Sequence, residues 1–253
     1  TTLAGTRPKA APSPGGATAT GAEPRSTGAG GGGRAGPYPG TRAPPLAAIS
    51  VVVAVVRGIV VDEAGRGPWA GPVVAAAVIL HRRRLAVPID DSKRLTGRQR
   101  ARAFDVIARH ADVGFGIVCA QAIDRYNILR ATLLAMQEAV ADLSRTPDLV
   151  LVDGPIAPSV PHRCWPILHG DRRSYVISCA SIMAKVFRDR LMEFYHDVYP
   201  AYAFHRHKGY GTSLHAQRLE QWGPSILHRH TFRPIKAMSN KKNTIFIIIL
   251  IVT

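Results

Sequence analysis

The sequence predicts an α/β fold, and three observations carry that expectation. Val/Ile/Ala-rich runs of strand length alternate with longer segments of helical period. Gly, Pro or Asp punctuate the joins between them. Three of the runs end in acidic residues, at Asp62-Glu63, Asp153 and Asp171. Ligands of open α/β sheets gather outside strand ends, so these positions draw attention to one edge of the sheet.

Taken in chain order, residues 51–63 and 72–80 are two strands joined by the Gly/Pro turn "AGRGPWAG". Residues 90–111 open on turn residues and continue as a basic amphipathic helix. Leu95, Phe104, Ile107 and Ala108 form its expected core face, with Arg98, Arg100, Arg102 and Arg109 outside. Residues 112–120 are a strand. Residues 122–143 read as one helix whose core face is Ile128, Leu129, Thr132, Leu133, Met136 and Val140. Strands follow at 147–155 and 164–171, then a long helix at 174–199 carrying Ile177, Ile182, Val186, Leu191 and Phe194. Small Ser178, Ala180, Ser181 and Ala184 on that helix suit close approach. Residues 202–235 are polar, His-rich and aromatic, with one helix expected at 213–222. The histidines read as surface or turn residues, and "HRH" at 205–207 and 228–230 lacks zinc-ligand spacing.

The 253 residues divide unevenly. Residues 1–50 hold 11 Gly and 8 Pro and almost no large apolar side chains, so this arm is expected to be disordered. Residues 51–236 are expected to form one domain, and residues 237–253 a tail ending in the β-branched run "TIFIIILIVT". That run is too short to span a bilayer. Net charge is +16, of which the arm carries +4 and the tail +2. A body this basic points to a polyanion partner, nucleic acid first. Cys119, Cys164 and Cys179 are odd in number and far apart, which argues for a reducing compartment, the cytoplasm, with no disulfide frame. The Arg-bearing, Ser/Thr-rich arm leaves import into an organelle open.

Several carboxylates brought to one place would repel one another. Protonation or a hard divalent cation, Mg²⁺ or Mn²⁺, relieves that repulsion. Two such ions can serve a phosphodiester displacement. Adjacent strand residues point to opposite faces, so Asp62 and Glu63 can share a site only where the strand ends or bends. The bland reading of an Asp-Gly pair is a cap or a turn.

Six blocks in order, "DEAGRGPWAGPVVAAAVIL", "DSKRLT", "IDRYNIL", "VDGP", "GDRRSYVISCASIMAKVFRDR" and "HKGYGT", resemble ribonuclease HII. The resemblance covers about residues 57–235. It implies a ribonuclease H-like mixed five-stranded sheet flanked by helices, with a helical C-terminal portion. It also implies hydrolysis of the RNA strand of RNA–DNA hybrids and incision of duplex DNA at embedded ribonucleotides. The products would be a 3′-hydroxyl and a 5′-phosphate, and two Mg²⁺ or Mn²⁺ ions would be required. The family's metal carboxylates fall on Asp62, Glu63, Asp153 and Asp171, and its minor-groove element on Gly65, Arg66 and Gly67. Its ribose-sensing tyrosine falls on Tyr210. Ser92, Lys93, Lys185 and Arg188 resemble its phosphate-side contacts, although Lys185 and Arg188 have a structural reading too, pairing with Asp189 or Glu193 on one helix face. Pro155, His169 and Cys179 depart from the family's usual pattern.

The implied partners are an RNA–DNA hybrid and ribonucleotide-containing duplex DNA, not a membrane, and the expected working unit is a monomer. No clamp-binding motif stands at the C-terminus. Two rivals remain: a ribonuclease HIII-like hybrid nuclease, which generally lacks an arginine between the two glycines, and a catalytically silent nucleic-acid-binding protein on the same fold.

Overall fold

The computed structural model of the chain describes residues 58–82, 84–168 and 174–238. The expected disordered arm, the first residues of the first strand, Asp171 and nearly all of the tail lie outside the described residues. Five strands are present: β1 (Gly58–Ala64), β2 (Val73–Leu80), β3 (Ala111–Val118), β4 (Leu149–Asp153) and β5 (Arg163–Ile167). Between and after them come α1 (Gly97–His110), α2 (Ala120–Tyr126), α3 (Ile128–Ala141) and α4 (Tyr175–Val198). A 3₁₀ turn (Pro200–Tyr202) and the short α5 (Phe204–His207) lead to α6 (Ser213–Trp222). A last helix, α7, runs over 233–238, two residues into the segment expected to be tail.

The sheet order is β3-β2-β1-β4-β5. β1, β2 and β3 pair antiparallel, whereas β4 joins β1 in parallel and β5 joins β4 in parallel. The sheet is therefore mixed and five-stranded, with β1 at its centre. Strand alternation sends every second side chain to each face. Val60, Ala76, Val78, Leu149 and Leu151 pack against α1 and α4 on one side. Ile59, Val61, Ala75, Ala77, Val150 and Val152 pack against α2 and α3 on the other. Both faces are covered, which is why the strands read as continuous apolar runs rather than alternating ones. Each fully buried Val or Ile contributes roughly 1.5–3 kcal/mol.

Two expectations are corrected. The helix expected over 122–143 is two helices, broken at Asn127, which has φ 68°. With ψ at 164° this is a positive-φ, extended conformation that side chains rarely adopt, and it interrupts the helical run. The Asn127 side chain also caps α3, accepting from Arg130 N at 3.1 Å. The buried face of α3 is Ala131, Thr132, Ala135, Met136, Ala139 and Val140, while Leu129 is exposed. The cause lies on the partner strand. A Cβ at Gly116 would collide with the Ala135 carbonyl, so helix and strand approach backbone to backbone and the alanines, not the leucines, turn inward.

Helix α1 starts at a capping box: Thr96 Oγ1 accepts from Gln99 N, and Thr96 N donates to Gln99 Oε1 at 2.9 Å. This sets where the chain leaves the "DSK" loop and enters the helix. The C-terminal portion has its own core of Ala70, Met192, Tyr202, Phe204, Leu219 and Ile235, seated on the far end of α4. Among the described residues no helix is long and apolar enough to cross a membrane.

Candidate active site

The parallel pairing of β1 with β4 runs to Val61 opposite Val152. Asp62 and Asp153 are therefore the next residues on neighbouring central strands, and two carboxylates meet at the carboxyl end of the sheet. Asp62 is buried and shares its face with α4, and its Oδ1 accepts from Glu63 N at 2.7 Å. Burial pushes the Asp62 carboxyl well above the usual range, and the charges of Glu63 and Asp153 add to that. A hydrogen bond from Ser181 works the other way. Glu63 is also raised by burial and by Asp153, but the Arg66 guanidinium opposes the rise. Arg66 Nη1 stands 3.3 Å from Glu63 Oε1.

β1 stays paired with β2 through Ala64, but its pairing with β4 stops at Val61, which leaves Asp62 and Glu63 at the open edge of the strand. Gly65 has φ +96° and turns the chain immediately after Glu63 and Ala64. A side chain there would be strained, and its Cβ would strike the Arg188 guanidinium. Asp62, Glu63 and Asp153 consequently line one cavity of about 400 Å³ with Gly65, Arg66, Gly67, Ser92, Lys93, Arg100, Ser181, Lys185 and Tyr210. Of the expected site residues among those described, only Arg188 is not in that lining; Asp171 lies outside the described residues. Among the described residues, no group of three or more His, Cys, Asp or Glu side chains is gathered as a metal site; Glu63 is turned toward Arg66.

The substrate-side residues divide by what they touch. Ser92 Oγ and Ser181 Oγ are 3.0 Å apart, which ties the "DSK" loop to α4 beside Asp62. Lys185 Nζ is 2.7 Å from Asp189 Oδ1 and 5.8 Å from the centre of the Tyr210 ring. It thus makes the helix pair of the structural reading and still reaches the cavity. Tyr210 is half-exposed, and a Cβ at Gly67 would come 3.9 Å from its ring.

Arg188 requires a correction. Its side chain is buried on α4. Nε donates to Pro72 O at 2.9 Å, Nη1 to Lys208 O at 3.0 Å and Nη2 to Ala70 O at 3.1 Å. The guanidinium therefore braces the β1–β2 turn and the Tyr210 loop, and it does not reach out to a phosphate.

Sequence reasoning missed several residues. Arg100, expected on the outer face of α1, lines the cavity and donates to Ser92 O at 2.8 Å. Arg229 is fully buried and bonds carbonyls of the Gly65–Gly71 turn. His207, His215 and His228 are buried, not on the surface. His215 Nδ1 lies 2.9 Å from Tyr210 O, a pure acceptor, so Nδ1 carries the proton. His215 Nε2 must then accept from His228 Nε2, 3.0 Å away, and His228 Nδ1 accepts from Ser225 N at 2.9 Å. His207 Nδ1 accepts from Gly209 N at 3.2 Å. Neutral imidazoles thus hold the loop that carries Tyr210. No spacing rule signals them, because their partners are main-chain atoms and one another.

Of the residues that depart from the family's usual pattern, Pro155 is exposed and His169 lies outside the described residues. Cys179 is buried in the core against α4's neighbours, and burial pushes its thiol up to about 12. The three cysteines are free thiols.

Comparison with known proteins bears on the family and the fold. A family model described as "Ribonuclease HII" matches residues 59–234. A ribonuclease HII of Chlamydia muridarum is 50% identical over 179 residues, covering 70% of this chain and 82% of that protein. A ribonuclease HII 1 of Methylibium petroleiphilum is 52% identical over 178 residues, covering 70% of this chain and 90% of that protein. Among solved structures, the ribonuclease H2 of Pyrococcus horikoshii superposes with a TM-score of 0.62 at 22% identity, over 73% of this chain and 97% of that one. A ribonuclease HIII solved in complex with Mn²⁺ superposes with a TM-score of 0.58 at 17% identity, over 72% of this chain and 69% of that one. At these identities the two structures speak to the fold.

Proposed function

The chain belongs to the ribonuclease HII family, and on that premise we propose a specific division of labour among its residues. It is a hydrolase, an endoribonuclease with ribonuclease H activity on RNA–DNA hybrids. We infer further that it requires divalent ions held by Asp62, Glu63, Asp153 and Asp171. We also infer that it incises duplex DNA at an embedded ribonucleotide, leaving a 3′-hydroxyl and a 5′-phosphate. The observation that carries this reading is the register that sets Asp62 beside Asp153, in a cavity shared with the Gly-Arg-Gly turn and Tyr210.

The donor set fits hard cations. It offers carboxylate oxygens only, and burial and mutual repulsion hold the Asp62 and Glu63 carboxyls above their usual range, so a divalent charge would favour their ionised forms. Bound there, two divalent ions would supply charge against the scissile phosphate and make water acidic enough to attack at neutral pH. The rest is this chain's own work. Lys93, Arg100 and Lys185 place positive charge around the cavity and orient the phosphate backbone. Gly65 and Gly67 let main-chain groups approach the sugar, where the 2′-hydroxyl marks RNA. Arg66 and Tyr210 flank that approach and discriminate the ribonucleotide junction. Ser181 holds Asp62 in orientation and ties it to Ser92. No protein nucleophile is required.

The test is cleavage of a labelled duplex carrying one ribonucleotide and of a continuous hybrid, in Mg²⁺ or Mn²⁺, with EDTA and Asp153→Asn controls. Loss of cutting with EDTA and with Asp153→Asn is expected. Persistent cutting with EDTA would overturn the metal assignment, and near-parental cutting by Asp153→Asn the residue assignment.

A further inference from the structure

We propose that Arg229 is the positioning residue of the Gly65–Gly67 turn. Its guanidinium holds the turn's carbonyls in the shape that reads a single ribonucleotide. The inference rests on the reading of that turn as the junction-sensing element.

Arg229 lies in the C-terminal portion, far along the chain from the turn, and it is fully buried. Nη2 donates to Gly65 O at 2.6 Å and to Gly71 O at 2.9 Å, Nη1 to Arg66 O at 2.9 Å, and Nε to Gly71 O at 3.0 Å. Every guanidinium nitrogen is therefore bonded to a carbonyl of one seven-residue turn. The main chain joins in: Arg229 N donates to Trp69 O at 2.8 Å, and Gly71 N to Leu227 O at 2.8 Å. The segment is itself pinned from α2, where Asp124 accepts from His230 N at 2.8 Å and from Thr231 N at 2.9 Å.

Burying a guanidinium is costly unless its donors are met, and a plain surface turn needs no such device. The turn is two glycines around an exposed arginine, so its own sequence gives it little rigidity. A lysine would not substitute fully. An ammonium is a point donor, whereas the guanidinium's planar fork spans carbonyls at both ends of the turn at once. The same clamp leaves the Arg66 side chain free to face the cavity while fixing the peptide that carries it. The rival account is that Arg229 only fastens the C-terminal portion to the sheet domain.

The two accounts part in a double-mutant cycle on the full chain. kcat/KM is measured for the parent, Arg229→Lys, Arg66→Ala and the double variant. The substrates are a duplex with one ribonucleotide and a continuous hybrid, with Tm recorded for each protein. If Arg229 positions the turn, Arg229→Lys lowers single-ribonucleotide incision about tenfold more than hybrid cleavage. The two substitutions are then strongly non-additive on the first substrate, because both act through the same peptide. Equal losses on both substrates, or additive effects, would overturn the proposal in favour of fastening. Should Arg229→Lys not fold, Asp124→Asn serves instead. It loosens residues 230–231 and leaves the guanidinium intact; selective loss supports positioning and equal loss refutes it. Failure of the underlying reading shows separately, as Arg66→Ala affecting both substrates alike while the parent remains active.

Discussion

Arg66 Nη1 stands 3.3 Å from Glu63 Oε1, three residues back along the chain, with the arginine half-exposed and the glutamate largely covered. The pair sits where strand chemistry gives way to turn recognition. As a surface ion pair it would matter little to stability. Arg66 also lines the cavity, where it is proposed to sense the ribonucleotide junction. Arg66→Ala and Tyr210→Phe are expected to reduce single-ribonucleotide incision more than hybrid cleavage. The expected cost is on the order of 1–3 kcal/mol per lost buried hydrogen bond. kcat/KM on the two substrates measures the difference, and equal losses would reassign both residues to general binding.

Asp62→Asn is expected to abolish turnover while raising the Tm of metal-free protein at neutral pH. The folded-state carboxyl lies above its unfolded value of 3.8 because burial, Glu63 and Asp153 all disfavour the charge. A raised acid contributes stability below its unfolded pKa, and that contribution is lost as pH rises through the folded one. At pH 7 the metal-free native state therefore carries a penalty that asparagine removes. Thermal melts with and without Mg²⁺ check this. A lower metal-free Tm, or an undiminished Mg²⁺-induced rise, would contradict it.

The imidazole chain beneath Tyr210 makes the fold acid-sensitive. Burial holds His215 at about 4 and His228 at about 3, below the usual 6.5. The unfolded chain therefore takes up protons first. The stability these residues contribute is complete above pH 6.5 and falls away as pH drops toward 4. Protonated His215 would also set two N–H groups against each other at His228. Urea titrations from pH 7.5 to pH 4.5 are expected to show a steady loss of stability, and a His228→Gln variant a shallower one.

Lys185→Gln is expected to weaken substrate binding and flatten its salt dependence by about one phosphate contact, a change of slope of roughly 0.9 in log K against log salt. Lys185 Nζ is partnered by Asp189, so the same substitution tests whether the helix pair is its whole role. An unchanged slope with a lowered Tm would leave only the pair.

The arm and the tail are proposed to be dispensable for chemistry. A chain lacking residues 1–50 and 240–253 is expected to cut hybrid at low salt and to lose part of its non-specific affinity along with a net charge of +6. A truncated chain that folds yet cannot cut would place a functional group outside the domain.

Features with local causes were legible from the sequence. The apolar run that stops at Asp62-Glu63 marked the end of β1, and α6 occupies the expected 213–222 because Thr212 caps it and Gly223 ends it. Features with distant causes were not. The rotation of α3 follows from Gly114 and Gly116 on another element. The break at Asn127 is one positive-φ residue in an otherwise helical pattern. Arg188 read as a phosphate-side contact or a helix ion-pair partner, and Arg229 drew no reading, since nothing nearby in sequence shows that carbonyls from a remote turn will meet them.

The parallel joint between β1 and β4 also governs when the site exists. β1 and β2 follow one another across a short turn and can pair as soon as they are made, and β3 joins β2 once α1 has been added. Asp62 must wait for β4, which arrives only after α3 and closes a long loop. On the ribosome, a chain that has emerged only through α3 carries Asp62 and Glu63, yet it lacks Asp153 and the Arg229 that clamps the Gly-Arg-Gly turn. Neither the carboxylate pair nor the clamped turn can form before those residues are made, so the cavity is completed late in synthesis.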